Sequence, residues 1–146
     1  MKYLHTMVRV RDLDASLTFY RDALGLEETA RFEVEVGRFT FVFLNAPGDS
    51  ETAKADRSPT IELTYNWDDD SYDGGRNFGH VAYAVDDIYA ACQRLKDHGV
   101  TISRPPRDGK MAFVRSPNNI SIELLQTGTP LAPQEPWSLM PNVGIW

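Results

Sequence analysis

LHTMVRVRDLDASL at residues 4–17 and GHVAYAVDDIYAAC at residues 79–92 share one pattern, and this pattern decides the fold. In each stretch a histidine opens a run that alternates in the period-2 manner of a β-strand, and an aspartate then precedes a helical run. When the stretches are aligned on His5 and His80, the two aspartates also coincide. Because the order of the later elements repeats as well, a tandem duplication is the simplest explanation.

Both halves of the chain predict a strand, a helix and then three further strands. In the first half, Asp12 or Asp14 caps a helix that Gly25 ends, and the next predicted elements are a hairpin of residues 32–36 and 39–44, a polar surface loop over residues 45–59 and a strand over residues 60–65. The second half predicts a strand at 80–85, a helix from about 87 to 98, and strands near 100–103, 111–114 and 119–125. The sequence therefore predicts an α+β fold of tandem βαβββ repeats that form curved mixed sheets.

At 146 residues, the chain has the length of one domain or of two half-domains that share a core. The patterns place a first βαβββ module at residues 1–66, a connecting loop at 67–79 and a second module at 80–125. Residues 126–146 are predicted to run extended over the surface of this subunit or a neighbouring one, anchored by the apolar side chains of Trp137, Met140 and Trp146.

Composition excludes several classes of function. The net charge of −6 and the pI of about 5.0 argue against a general nucleic-acid-binding surface. The single cysteine, Cys92, excludes an intrachain disulfide and a thiolate-rich zinc site, and its spacing on the second helix predicts a core position. The sequence shows no apolar leader and no run of membrane-spanning length, so we expect a cytoplasmic protein that binds neither nucleic acid nor membrane.

Alternation along the strands separates the polar candidates from the core. In the first strand one face carries His5, Met7 and Arg9, and the opposite face is predicted to enter the core through Leu4, Val8 and Val10. Two later strands each contain Ile-Glu-Leu, where the glutamate shares its face with polar or aliphatic neighbours: Glu62 with Thr64 and Asn66, and Glu123 with Ser121 and Leu125. Each glutamate thus lies opposite the aliphatic stripe of its strand.

Two histidines and two glutamates at matched repeat positions predict a metal site of four ligands: His5, Glu62, His80 and Glu123. A carboxylate in mid-strand is costly to bury unless it is paired or bound to a metal. Imidazole nitrogen and carboxylate oxygen suit Zn²⁺, Ni²⁺, Co²⁺ or Fe²⁺. Taken one at a time, each glutamate can instead face solvent, and each histidine can be an ordinary core or surface residue.

The motifs that carry this pattern resemble those of glyoxalase I (lactoylglutathione lyase), of the vicinal oxygen chelate superfamily. They are LHTMVRV at 4–10, IELTYNW at 61–67, FGH at 78–80, DGKMAF at 108–113 and IEL at 122–124. The chain departs from the family pattern by a shorter stretch after Lys110, by Asn118-Asn119 in its last hairpin and by the proline-containing tail. The resemblance extends from residue 1 to about residue 125.

The resemblance implies a metal-dependent isomerase that converts the hemithioacetal of glutathione and methylglyoxal into S-D-lactoylglutathione. It places the metal, Ni²⁺ or Zn²⁺ with Co²⁺ as a third candidate, on the four residues already named, with Glu123 as the catalytic base and Glu62 as a ligand or second base. It assigns the γ-glutamyl end of glutathione to Arg9, Asn66 and Arg76, and the glycyl carboxylate to Lys110, Met111 and Arg104. It also implies a homodimer with the active sites at the subunit interface.

Three other functions are compatible with parts of this pattern. An extradiol dioxygenase and a thiol transferase that confers fosfomycin resistance each use a three-ligand metal set, and Glu62 as a fourth ligand argues against both. A metal-free module that binds a small drug between subunits gives no reason for His5, Glu62, His80 and Glu123 to occur together.

Overall fold

The computed structural model describes residues 1–68, 71–75 and 77–145. Contacts divide the chain into two compact units, Met1–Asp73 (unit 1) and Gly74–Trp146 (unit 2). Each unit is built on a four-stranded mixed sheet, and the order of one strand, a helix and three strands confirms the predicted α+β fold of tandem βαβββ repeats. Unit 1 has an additional short helix before its last strand. In the part of the chain described, no helix is long and apolar enough to cross a membrane.

The sheet of unit 1 has the strand order β1-β4-β3-β2, in which β1 runs parallel to β4 and the other neighbours are antiparallel. Its elements are β1 (His5–Val10), α1 (Leu13–Leu17), a π-helical turn (Thr18–Ala23), β2 (Glu27–Val34), β3 (Phe39–Asn45), a 3-10 turn (Pro47–Asp49), α2 (Ser50–Asp56) and β4 (Thr60–Asn66). Asp12 caps α1, since its Oδ1 accepts a hydrogen bond from the Ala15 amide at 2.9 Å. Gly25, with φ of 86°, follows the helical segment in the left-handed conformation, as predicted.

The sheet of unit 2 repeats this topology with the order β5-β8-β7-β6, and β5 runs parallel to β8. Its elements are β5 (His80–Val85), α3 (Ile88–Asp97), β6 (Ile102–Arg104), β7 (Met111–Arg115) and β8 (Ser121–Gln126). Asp87 caps α3 by accepting from the amides of Tyr89 and Ala90 at 2.9 and 3.0 Å. The equivalent aspartates, Asp12 and Asp87, therefore both cap the N-terminus of the first helix of their repeat.

The core of each unit lies on the sheet face opposite the candidate ligands. Val8 and Val10 of β1 are buried, while Ile122 and Leu124 of β8 are fully buried on either side of Glu123. Burial of each such aliphatic side chain stabilises the fold by about 1.5–3 kcal/mol. The prediction that Leu4 enters this core is wrong: its side chain is 48% exposed, because β1 begins only at His5.

Part of the predicted surface loop over residues 45–59 is helical, so that prediction is wrong for α2. Only Ala53 of this helix is buried, and the segment therefore lacks the apolar periodicity by which a helix is recognised. Similarly, β2 begins at Glu27, whereas the sequence predicts a start at residue 32. The pattern misses the first residues of the strand because most of them are polar and none is buried. Both errors come from segments that contribute few side chains to the core.

The C-terminal residues lie against unit 2. Trp137, in a 3-10 turn (Trp137–Leu139), is only 3% exposed. The Tyr89 hydroxyl donates to the Ala132 carbonyl at 3.0 Å, and the Leu131 amide donates to the Gly109 carbonyl at the same distance. A Cβ at Gly109 would lie 2.0 Å from the Leu131 carbonyl oxygen, so the tail and the loop before β7 are in direct contact. Of the other predicted anchors, Met140 is half-buried and Trp146 lies outside the described residues.

Candidate metal and substrate site

A histidine–glutamate pair lies on the central strands of unit 1. In the parallel register of β1 and β4, His5 lies opposite Thr60 and Glu62 lies opposite Met7, so the pair is diagonal on one sheet face. The His5 Nε2 atom is 3.3 Å from Glu62 Oε2. The second carboxylate oxygen, Oε1, accepts a hydrogen bond from the Thr64 hydroxyl at 3.0 Å.

Unit 2 contains the same pair in the same register. His80 lies opposite Ser121 and Glu123 lies opposite Ala82 in the parallel pairing of β5 and β8. The His80 Nε2 atom is 3.1 Å from Glu123 Oε2. The side chains of Glu62 and Glu123 are 17% and 12% exposed, which argues against the alternative that both glutamates simply face solvent.

Two phenylalanines that the sequence analysis missed complete this repeated arrangement. Phe43 lies opposite Glu62 in the antiparallel register of β3 and β4, and Phe113 lies opposite Glu123 in that of β7 and β8. Their rings meet the imidazoles edge to face, with centroids 5.6 Å apart for His5 and 5.5 Å for His80. Both phenylalanine rings are buried, so each histidine packs on one side against a fixed apolar surface.

The donor atoms fit a divalent cation. Two ligand atoms that are each about 2.1 Å from a metal are separated by about 3.0 Å at a right angle and about 3.4 Å at a tetrahedral angle. The Nε2–Oε2 distances of 3.3 and 3.1 Å lie within this range. Nowhere in the described ranges do three or more His, Cys, Asp or Glu side chains gather as a metal-binding group, so each unit by itself offers two ligands.

Two of the predicted substrate-binding residues lie on the ligand-bearing face of unit 1. Arg9 is exposed and lies opposite Thr64 in the register of β1 and β4. Asn66, at the end of β4, is half-buried, and its Nδ2 donates to the Tyr72 hydroxyl at 3.1 Å. Arg76, the third residue predicted for this end of the substrate, lies outside the described residues.

Asn66 also lines a cavity of about 160 Å³ in unit 1. The sequence analysis missed this cavity, whose other lining residues are Val10, Arg11, Tyr65, Trp67, Asp68 and Tyr72. The Arg11 guanidinium donates to the Tyr72 carbonyl at 3.1 Å and thereby connects the end of β1 to the segment after β4. The cavity depends on contacts between a strand and a loop, which the residue pattern alone does not specify.

The remaining predicted residues lie together at the start of β7 in unit 2. Arg104 is mostly buried and donates to the Asp108 carboxylate at 3.0 Å and to the Met111 carbonyl at 2.5 Å, so its guanidinium braces this loop. Lys110 is exposed, and Met111 lies on the same face as Glu123, opposite Leu125. Burial acts to raise the pKa of Asp108, but hydrogen bonds from Arg104 and from the amides of Lys110 and Met111 hold that pKa below its ordinary value.

Comparisons with known proteins agree on one family. Residues 2–124 match the model of the Glyoxalase/Bleomycin resistance protein/Dioxygenase superfamily. The chain is 42% identical over 134 residues to a probable lactoylglutathione lyase of Synechocystis, covering 88% of this chain and 98% of that protein. It is 40% identical over 131 residues to the lactoylglutathione lyase of Neisseria meningitidis, covering 86% and 91%. The chain belongs to the glyoxalase I family.

Solved structures of glyoxalase I have the same fold. The trypanothione-dependent glyoxalase I of Leishmania major superposes with a TM-score of 0.75 at 36% identity, covering 86% of each chain. Glyoxalase I of Zea mays superposes with a TM-score of 0.74 at 31% identity, covering 88% of this chain and 45% of that one. In this member of the glyoxalase I family, both repeats carry a histidine–glutamate pair that could bind a metal ion.

Proposed function

We propose that this chain is a lactoylglutathione lyase, which isomerises the hemithioacetal of glutathione and methylglyoxal to S-D-lactoylglutathione through an enediolate. The observation that carries the proposal is the repeated histidine–glutamate pair, with both glutamates mostly buried. The named relatives support the same activity, and neither a three-ligand dioxygenase nor a three-ligand transferase accounts for the second glutamate. The cytoplasmic location stays a prediction.

The chemistry needs a base that removes a proton from one carbon and returns it to the next. Glu123 takes this part, with His80 and Phe113 fixing the surroundings of its carboxylate. Glu62 stays a metal ligand together with His5. A divalent cation held by these residues, Ni²⁺ or Zn²⁺ with Co²⁺ as a third candidate, would supply Lewis-acid stabilisation of the negative charge that develops on the substrate oxygens.

Glutathione is held at its two ends. The charge of Arg9 and the amide of Asn66, together with Arg76, suit the α-carboxylate and amine of the γ-glutamyl end. The exposed ammonium of Lys110 suits the glycyl carboxylate, with Met111 beside it on the sheet face. Arg104 acts here through Asp108, by holding the loop that carries Lys110.

The site is formed at the interface of a homodimer. This part of the proposal rests on two observations within the units. Among the described residues each unit supplies two of the four proposed ligands, and the ligand-bearing face of unit 1 exposes apolar side chains at Met7 (41%) and Phe32 (38%). An exposed apolar face beside an incomplete ligand set is typical of a surface that is covered in the assembly.

One assay tests the proposed activity. Glutathione and methylglyoxal are mixed with protein that has been stripped by a chelator and reloaded with Ni²⁺, Zn²⁺ or Co²⁺, and the thioester absorbance is followed. We expect turnover only in the reloaded samples. If no reloaded sample forms thioester from glutathione, the proposed function is wrong; a parallel reaction with trypanothione then tests whether the thiol was the wrong choice.

A further inference from the structure

The two glutamates each lie beside one histidine and one phenylalanine, but the residue two places further along the strand differs between them. Two residues beyond Glu62 on the same face of β4 lies Thr64, whose hydroxyl donates to Glu62 Oε1 at 3.0 Å. Two residues beyond Glu123 on β8 lies Leu125. The registers confirm the equivalence, because Arg9 lies opposite Thr64 just as Ala84 lies opposite Leu125.

This difference changes how firmly each carboxylate is held. Glu62 is held at both oxygens, by His5 at Oε2 and by Thr64 at Oε1. Thr64 is β-branched, so its hydroxyl has few alternative orientations. Because the residue is only 7% exposed, water competes little with its hydrogen bond to Glu62. A hydrogen bond from such a neighbour orients a metal ligand and strengthens its binding.

Glu123 lies close to His80 at Oε2, but the side chain in the place of Thr64 is aliphatic and has no proton to donate. A carboxylate that must pass a proton between two carbons has to leave its ligand position or turn within it. Because Leu125 cannot donate a hydrogen bond, the Glu123 carboxylate can turn without breaking a bond of the kind that Thr64 makes to Glu62.

We infer that Thr64 is the positioning residue that keeps Glu62 a permanent metal ligand, and that Leu125 leaves Glu123 free to act as the base. The inference rests on the proposed function, since it presumes a metal and a proton transfer. It assigns the different roles of two repeated glutamates to a single side-chain position in each repeat.

The first experiment removes the hydroxyl beside Glu62. Thr64→Val keeps the branched shape of the side chain but removes the hydroxyl, and Thr64→Ser keeps the hydroxyl donor. Metal affinity of the stripped proteins is measured by competition with a chromogenic chelator, which needs no turnover. We expect Thr64→Val to bind Zn²⁺ and Ni²⁺ about tenfold more weakly than the native chain, and Thr64→Ser to recover most of the loss. Equal metal affinity in all three proteins overturns the role of Thr64.

The reciprocal experiment introduces a hydroxyl beside Glu123. Leu125→Thr is compared with Leu125→Val, which makes the same change in size and branching without adding a donor. We expect kcat of Leu125→Thr to be about tenfold below that of Leu125→Val, with metal affinity equal or tighter. If kcat is the same in both variants, or falls together with metal affinity, the freedom of Glu123 is not set by Leu125 and the inference fails.

Thermal melting of each variant excludes simple misfolding as the cause. The two proposals also fail separately. If the native chain forms no thioester, the proposed function is wrong, yet the order of metal affinities among the Thr64 variants still supports or overturns the positioning of Glu62. If the native chain is active but the affinities do not differ, only the inference is wrong.

Discussion

At the scale of single residues, the environment of the two carboxylates decides the chemistry. Each glutamate is mostly buried, next to one imidazole nitrogen, and opposite one phenylalanine across an antiparallel pair. Burying a carboxylate costs free energy unless hydrogen bonds, an opposite charge or a metal ion compensate for its lost hydration. A divalent cation removes this cost, because it offsets the negative charge directly.

The proposed base can be tested by a near-isosteric change. Glu123→Gln keeps the shape of the side chain but removes its ability to take a proton. We expect kcat to fall by about 10²–10⁴-fold, which is the usual contribution of a general base. Stopped-flow measurement of thioester formation under metal saturation gives kcat without a contribution from weaker metal binding.

Glu62→Gln serves as the matched comparison for this change. It should weaken metal binding more than Glu123→Gln does, because Glu62 is the carboxylate with the additional hydrogen bond. Circular dichroism and melting curves report whether either variant is unfolded. Turnover at the native rate in Glu123→Gln would remove Glu123 from the role of base.

At the scale of elements, residue patterns predict the strands whose side chains alternate between a more exposed and a more buried face. The strand predicted at residues 80–85 is found as His80–Val85, and the aspartate caps of the first and third helices are both observed. α2 is missed because its polar sequence buries only Ala53. Phe43 and Phe113 are missed for a different reason: their place beside the histidines depends on the register between strands, which period-2 alternation does not specify.

The loop before β7 provides an element-scale prediction about pH. The pKa of Asp108 is lowered in the fold, so its hydrogen bonds stabilise the loop above the unfolded pKa of about 3.9, and this contribution is lost as the pH falls through the lowered folded value. We expect the amide NMR shifts of Lys110 and Met111 to change together with a midpoint below about pH 3.9.

Asp108→Asn is the control for this titration. It keeps an oxygen acceptor for the two amides but removes the charge that faces Arg104. The shared midpoint should therefore disappear while the amide signals remain dispersed. A midpoint at or above the ordinary aspartate value in the native chain would contradict the depressed pKa of Asp108.

At the scale of the whole molecule, the division of the ligands between Met1–Asp73 and Gly74–Trp146 matters most. The proposed set of four ligands needs one histidine–glutamate pair from each kind of unit. We propose that the two pairs of one site come from different chains of the proposed homodimer. Two inactive variants can test this proposal, one carrying His5→Ala with Glu62→Ala and the other carrying His80→Ala with Glu123→Ala.

Each variant alone should be inactive, because every site then lacks one pair. After the two proteins are mixed, unfolded and refolded together, we expect about a quarter of the native activity, since about half of the dimers are mixed and each of those has one complete site. Size-exclusion chromatography checks that dimers have formed. If mixed dimers form and no activity returns, each site draws both pairs from a single chain.

The duplication also matters for the recognition of a substrate whose two ends differ chemically. Two identical halves that face each other form a site with twofold symmetry, whereas a thiol conjugate with chemically different ends has none. Once the halves are joined in one chain, each can change without the other. Arg9 and Asn66 have Ala84 and Thr127 as their counterparts, and Thr64 has Leu125. In the proposed mechanism, this loss of symmetry lets the first repeat hold the metal through Glu62 and the second repeat move the proton through Glu123.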